Sequence, residues 1–554
     1  MPTSLVCRCP QWVLKPISVF ATLALLVTLW GGLPIHAQRG DTIVRPDRVE
    51  VDWLGAARDA ALAWPELSSP LTSTKLTSLQ RARVAKRLRS YTRKEGMLPL
   101  ARLSELVAPH YPFAANAPIP VLAPIEPTGL LRRDAQARVS ALARSIETFD
   151  LVSDSSGYDI VATVSAFLLR ELGITIPYKP QLYVGGSALS YGSIHLGDLV
   201  TDMQDVVPGL RRIAGSDDVI YAFRRYGVPY YVSVDCSVTS PDQVMLTCNQ
   251  ADAIVRAVIR NLHLFGGGPR AVRRCPVKIA PQPTTVSNDF TYLSPGNLMK
   301  GTSPMEKGGS AKQKVYGDNI LFPLKDAPAF ANSQVFMHGG NCLSTPGTTD
   351  HMIPLPKQHG DQHERYHCKQ NDKPLLKWEG HKENYAYPWR DNACETRNDD
   401  GPAECPLTMK GHAGQDIRPS RCIGEGARCP IDVFKVIAVT DGWALWKIPQ
   451  NHLRLKADDC TGLYYMYLHM SPKALKEAGM KMKTQVRVKR GDAVGKVGNF
   501  DKAVAGGTTA HLHFEVRRVP PDMPDNIGPS LVPYLTLIRA YERRIKAKGR
   551  EITE

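Results

Sequence analysis

The chain has 554 residues, too many for one hydrophobic core, so two or three domains are expected. With 43% hydrophobic and 22% charged residues, it is not a largely disordered polypeptide. A formal net charge of +16 and a pI near 9.2 point to an acidic partner (nucleic acid, an anionic membrane face or wall polymers) or to solubility alone.

The N-terminus sets the expected compartment. Arg8 and Lys15 precede an apolar run over residues 17–30, followed by Gly31-Gly32-Leu33-Pro34 and then Ala37. A charged start, an apolar centre and a small residue at the cut read as a secretory signal over residues 1–37. The run is short of the roughly 20 apolar residues that cross a bilayer, although an uncleaved anchor stays open. Of 12 cysteines, Cys7 and Cys9 fall in the signal, and an even number in an exported chain reads as disulfides. Cys236 and Cys248 are placed to staple a hairpin and Cys422 and Cys429 to close a small loop, with the other pairings open.

Residues 56–64 and 76–107 carry apolar residues at helical spacing. Residues 109–127, which begin and end on proline and hold Pro112, Pro118, Pro120 and Pro124 between, read as a linker. Helices are expected at 131–147 and around 161–172, then a strand-rich stretch over 180–235. Within that stretch the apolar runs at 219–223 and 230–234, parted by Gly227-Val228-Pro229, signal a hairpin. Residues 251–264 return to helix and stop at Gly266-Gly267-Gly268. No catalytic motif falls between residues 38 and 290. This gives a helical region with a Pro-rich linker at 38–127, an α+β module of undisclosed role at 128–279, and a second linker, rich in Pro, Ser, Thr, Gly and Lys, at 280–318.

Three later segments carry chemistry. His412-Ala413-Gly414-Gln415-Asp416 offers a nitrogen and an oxygen of the kind zinc favours. In His511-Leu512-His513-Phe514-Glu515-Val516, strand alternation places Leu512, Phe514 and Val516 on one face and both histidines on the other. Tyr464-Tyr465-Met466-Tyr467-Leu468-His469 is an aromatic strand ending in a histidine. Each is a weak signal alone; their order, together with Asp441-Gly442-Trp443 and the Gly491, Gly495 and Gly498 turns, is a strong one. Over about residues 320–535 the chain resembles the lysostaphin-type (LytM-like) zinc metallopeptidases, which cut peptidoglycan peptides. The resemblance implies His412, Asp416 and His513 as ligands of Zn2+ and His469 and His511 as the catalytic pair. Three protein ligands leave a position for water, the mark of a catalytic site.

The sequence departs from that family in a Cys-rich insertion over residues 321–410, a second insertion after Asp416, and a long segment between Gly498 and His511 without the usual Gly-Thr-Gly start. The first insertion also holds His363-Glu364-Arg365-Tyr366-His367, a literal H-E-x-x-H. On a helix its histidines would share a face and bind zinc; Pro354, Pro356 and Gly360 nearby argue against such a helix.

The expected fold class is α+β and multidomain: a helical and α+β N-terminal region, then a mainly antiparallel β catalytic domain over residues 319–536 and a basic C-terminal helix at 537–554. The expected function is exported, zinc-dependent hydrolysis of peptidoglycan peptide bonds in the periplasm or cell wall. The alternative is a non-catalytic wall-binding or amidase-activating protein of the same fold. Peptidoglycan is the expected partner, with an anionic membrane or wall polymer held by the basic helix as a second candidate and no nucleic acid.

Overall fold

A computed structural model describes residues 42–64, 97–125, 145–191, 198–214, 218–236, 246–269, 314–325, 412–419, 430–447, 452–500, 510–518 and 530–548, with isolated short stretches between residues 292 and 393. These residues mix helices with mostly antiparallel sheets around two apolar cores. The expected signal over residues 1–37 lies outside them. Among the described residues no helix is long and apolar enough to cross a membrane.

The first core belongs to the N-terminal half. Strand β1 (Thr42–Val44) comes first, then helices α1 (Trp53–Ala63), α2 (Leu98–Val107) and α3 (Pro112–Asn116), strand β2 (Val121–Ala123), strands β3 (Ile146–Ser153) and β4 (Gly157–Val164), and helix α4 (Ala166–Glu171). Next are β5 (Gln181–Ser187), β6 (Asp198–Leu199), β7 (Arg211–Ala214), β8 (Asp218–Arg225), β9 (Val228–Asp235), helix α5 (Cys248–Ile259) and β10 (His263–Gly266). β3, β4, β5, β9, β8, β7 and β6 form one antiparallel sheet in that order. The expected hairpin is present as β8 and β9, turning at Tyr226-Gly227 with both residues at positive φ, as a two-residue hairpin turn demands.

Several expectations need correction here. The Pro-rich stretch is core rather than linker: Pro112 starts α3, where its missing N–H costs nothing, and β2 pairs with β10, burying Ile119, Val121, Leu122 and Ile125. Residues 157–164 are a strand, so the helix expected around 161–172 shrinks to α4; the β-branched side chains of this segment favour the pleated form. The helix expected at 131–147 lies outside the described residues except for its end, where Ile146 and Glu147 open β3. The helix expected over 251–264 is α5, which starts earlier on a Thr247 capping box and gives way to β10.

Cys236 and Cys248 are disulfide-bonded, linking the end of β9 to the start of α5 rather than the two arms of a hairpin. Closing a loop of 12 residues constrains the unfolded chain by about 3 kcal/mol. A Cys236→Ser/Cys248→Ser chain should therefore unfold at lower denaturant than the parent; equal midpoints would contradict that role. Cys460 is also disulfide-bonded.

The second core belongs to the C-terminal half. Strand β11 (Lys314–Tyr316) falls inside the expected second linker and pairs in parallel with β1. Then come β12 (Gln415–Arg418), β13 (Lys435–Ile437), β14 (Gly442–Lys447), β15 (His452–Ala457), β16 (Leu463–Leu468), helix α6 (Pro472–Glu477), β17 (Gln485–Val488), β18 (Ala493–Lys496), β19 (Leu512–Arg518) and helix α7 (Tyr534–Lys548). The main sheet runs β12, β19, β16, β15, β14, β17, all antiparallel, and is extended beyond β12 by short strands at Phe330–Asn332 and Tyr385–Ala386. Leu453, Leu455, Tyr465, Tyr467, Leu512, Phe514 and Val516 point from one face into this core.

Helix α7 starts before the expected boundary and buries Leu537, Ile538 and Tyr541 in the same core. Two of its cations do not face outward as a tether would require. Arg543 donates to the Ile320 carbonyl, and Arg544 donates to the Leu324 carbonyl and lies over the Phe322 and Tyr541 rings.

The opposite face of the C-terminal sheet is divided. Over β14–β16 it meets the N-terminal sheet, where Leu445 packs among Val161, Tyr183, Ile213, Ile220 and Tyr231. Buried cations on this face pair with buried acids opposite: Lys447 with Asp235 at 2.8 Å, Arg454 with Asp159 at 2.9 Å and Lys456 with Asp154 at 3.1 Å. Removing one member of such a pair leaves an uncompensated buried charge. Over β12 and β19 the same face carries Asp416 and His513, so the N-terminal half borders the region described next.

Candidate metal centre

Antiparallel pairing of β12 with β19 sets Asp416 opposite His513, and pairing of β16 with β19 sets Leu468 opposite His513. Alternation turns Ile417 and Leu512 into the core and sends Asp416 and His513 to the other face. His412 reaches them across the turn preceding β12. That turn needs glycine at Gly414, where a Cβ would stand 2.5 Å from the Phe514 carbonyl oxygen and 2.7 Å from His513 Nε2.

His412, Asp416 and His513 form a buried cluster that can hold a metal ion. His412 Nε2 lies 2.8 Å from His513 Nδ1 and 3.1 Å from Asp416 Oδ1, and His513 Nδ1 lies 3.0 Å from that same oxygen. The outward nitrogens fix the tautomers. His412 Nδ1 donates to the Asn392 carbonyl at 2.8 Å and His513 Nε2 to Glu515 Oε1 at 2.9 Å, and neither acceptor can donate back. In the neutral rings both inward nitrogens are then lone pairs aimed at a carboxylate, an arrangement that only a cation makes favourable. At 2.8–3.1 Å from one another, the three inward atoms are close enough for a single cation with the usual zinc–ligand distance of about 2.0–2.1 Å to be held by all of them. The donor set therefore fits a metal of zinc's size.

Charge around the cluster agrees. Burial opposes ionisation of Asp416, but His412 and His511 outweigh it and hold the carboxyl well below its usual range. Burial likewise opposes charging His513, yet hydrogen bonds to Asp416 and Glu515 prevail and push it up to about 9.

The expected catalytic pair stands beside the cluster. The rings of His469 and His511 are 4.6 Å apart, and His511 Nε2 lies 3.4 Å from Asp416 Oδ1. His469 sits at φ +68, an unusual conformation for a residue with a side chain, and is held there from both ends of the Phe500 peptide. Phe500 N donates to the His469 carbonyl at 3.0 Å, and His469 Nδ1 donates to the Phe500 carbonyl at 2.9 Å. His469 Nε2 is thereby left as the free lone pair. Burial, with His511 and His513 nearby, keeps the ring neutral by pushing it well below its ordinary value. Gly498 ties the two segments together: its carbonyl accepts from His511 N, and a Cβ there would meet the His469 carbonyl oxygen at 2.6 Å.

All five expected residues thus converge on one face. Sequence reasoning missed their supports. Asn392, from the first insertion, accepts from His412 through its carbonyl and from Asp416 N through Oδ1, while its own N–H donates to Gln415 Oε1. No local pattern marks Asn392; Glu515 and Arg517 could have been found by alternation from His513. In the H-E-x-x-H segment, Tyr366 and His367 lie on a strand (Tyr366–Gln370) paired with Met352–Pro354, not on the helix that motif requires. His363 and Glu364 lie outside the described residues. No family model, curated protein or solved structure matches this chain.

Proposed function

We propose that this chain is an exported zinc metalloendopeptidase that hydrolyses peptide bonds of bacterial peptidoglycan. The observation that supports this most is the placement of two further histidines, His469 and His511, their rings 4.6 Å apart, beside a buried two-histidine, one-carboxylate cluster. A closed structural site has no use for such neighbours. A non-catalytic wall-binding relative has no use for the cluster.

When bound, zinc would polarise the scissile carbonyl and lower the pKa of its water from about 15.7 towards 7. His469, neutral and aimed by Phe500, accepts the proton of the attacking water at Nε2 and returns it to the leaving amine. His511, fixed by Gly498, donates to the oxygen on which charge develops. The choice of peptidoglycan rests on the family resemblance and on the expected export signal. Incubating purified peptidoglycan with the full mature chain, followed by mass spectrometry of the released fragments, tests it. New amine and carboxyl ends at one type of stem-peptide or cross-link bond are expected. Intact peptides would overturn the substrate assignment.

A further inference from the structure

We infer that Glu515, locked by Arg517, is a positioning residue for the metal centre that makes His513 the stronger of its two imidazole ligands; this rests on the metal-binding reading above. Residues 513, 515 and 517 alternate on one strand and share the face of Asp416. Glu515 is buried, at 3% exposure, and each of its oxygens is engaged: Oε1 by His513 Nε2 at 2.9 Å and Oε2 by Arg517 Nε. With both oxygens held, Glu515 cannot swing in to become a ligand itself. Its negative charge is also compensated, as a buried carboxylate requires.

The two histidines are backed unequally. His412 donates its outward proton to a neutral carbonyl, that of Asn392, whereas His513 donates to a carboxylate. A carboxylate draws the Nε2 proton more strongly, raises the electron density at Nδ1 and fixes the plane of the ring. Gly414 is part of the device. A Cβ there would come within 2.7 Å of His513 Nε2 and 2.9 Å of Glu515 Cγ, wedging the pair apart. The turn that delivers His412 and Asp416 therefore has to be bare where it crosses the His513–Glu515 hydrogen bond.

Losing an outer partner of this kind typically weakens metal binding roughly 10–100-fold. The test uses the full mature chain and Zn2+ in competition with a chromophoric chelator. Glu515→Gln, which keeps size but removes the charge, should weaken Zn2+ binding by about 10-fold or more. Its Co2+-loaded form should show shifted visible bands, a change that loss of stability alone would not produce. Arg517→Gln, at a half-buried position, keeps the test alive if Glu515→Gln does not fold, and should weaken binding in the same direction but less. Zn2+ affinity in both variants within about twofold of the parent, with unchanged Co2+ spectra, would overturn the inference. His412→Ala run in parallel separates the two failures. If it too binds like the parent, the metal reading itself falls; if it loses Zn2+ while Glu515→Gln does not, only the role of Glu515 falls.

Discussion

Asp416→Ala is expected to abolish metal binding and activity together. Asp416 is the only carboxylate in the described cluster, its Oδ1 lying 3.1 Å from His412 Nε2 and 3.0 Å from His513 Nδ1. Its removal leaves two neutral imidazoles, which offer neither the charge nor the count of a catalytic zinc site. Elemental analysis of the purified parent should find about one zinc per chain, and the variant less than about a tenth of that. Hydrolysis should fall by on the order of 10³-fold or more, as when the Lewis acid itself is lost. Because Asp416 lies on the face away from the apolar core, the fold should survive, giving an unchanged far-ultraviolet circular dichroism spectrum. Full zinc occupancy in this variant would show that the ion sits elsewhere.

His469→Ala and His511→Ala should separate binding from chemistry. Neither side chain belongs to the ligand triangle, so zinc content should stay near that of the parent. Activity should drop by roughly 10²–10³-fold in each, as when a proton-transfer or oxyanion partner is removed. His469 carries the sharper test because its backbone is strained at φ +68. His469→Gly relieves that strain, so it should be at least as stable as His469→Ala while remaining as inactive. Loss of zinc in either alanine variant would make that histidine a ligand and overturn the division of labour.

The parts of this arrangement that sequence made legible are those with short-range causes. Alternation in His511-Leu512-His513-Phe514 fixes which side chains face the core, whatever strands lie alongside, and the structure buries Leu512 and Phe514 as expected. The β8–β9 turn is likewise encoded locally, by Gly227 at positive φ. What was misread depended on partners distant in sequence. Residues 109–127 look like a linker because proline density normally excludes regular structure. They become core because β10, more than a hundred residues on, supplies the pairing for Val121 and Leu122. Strand β4 likewise depends on pairing with β3 and β5 on either side of it. Asn392 illustrates the same limit within the site: nothing beside it in sequence announces that its carbonyl orients His412.

The docking of the N-terminal sheet was also invisible in sequence. Lys447, Arg454 and Lys456 alternate with apolar residues as on any solvated strand, and only Asp235, Asp159 and Asp154 opposite them make that face an interior. His452, next to Lys447 in register, shows how close this interior comes to the metal face. Burial and the Lys447 charge push it down to about 3, and His513 and Glu515 are near enough to act on it.

The most direct measurement is zinc add-back on peptidoglycan. The mature chain, stripped with a chelator and freed of it, is mixed with purified peptidoglycan with and without one equivalent of Zn2+, and newly formed amine ends are counted. The proposed function predicts no new ends without the ion and restored release with it, in the parent but not in Asp416→Ala. Equal release by the stripped chain, or restoration in Asp416→Ala, would contradict a zinc peptidase built on His412, Asp416 and His513.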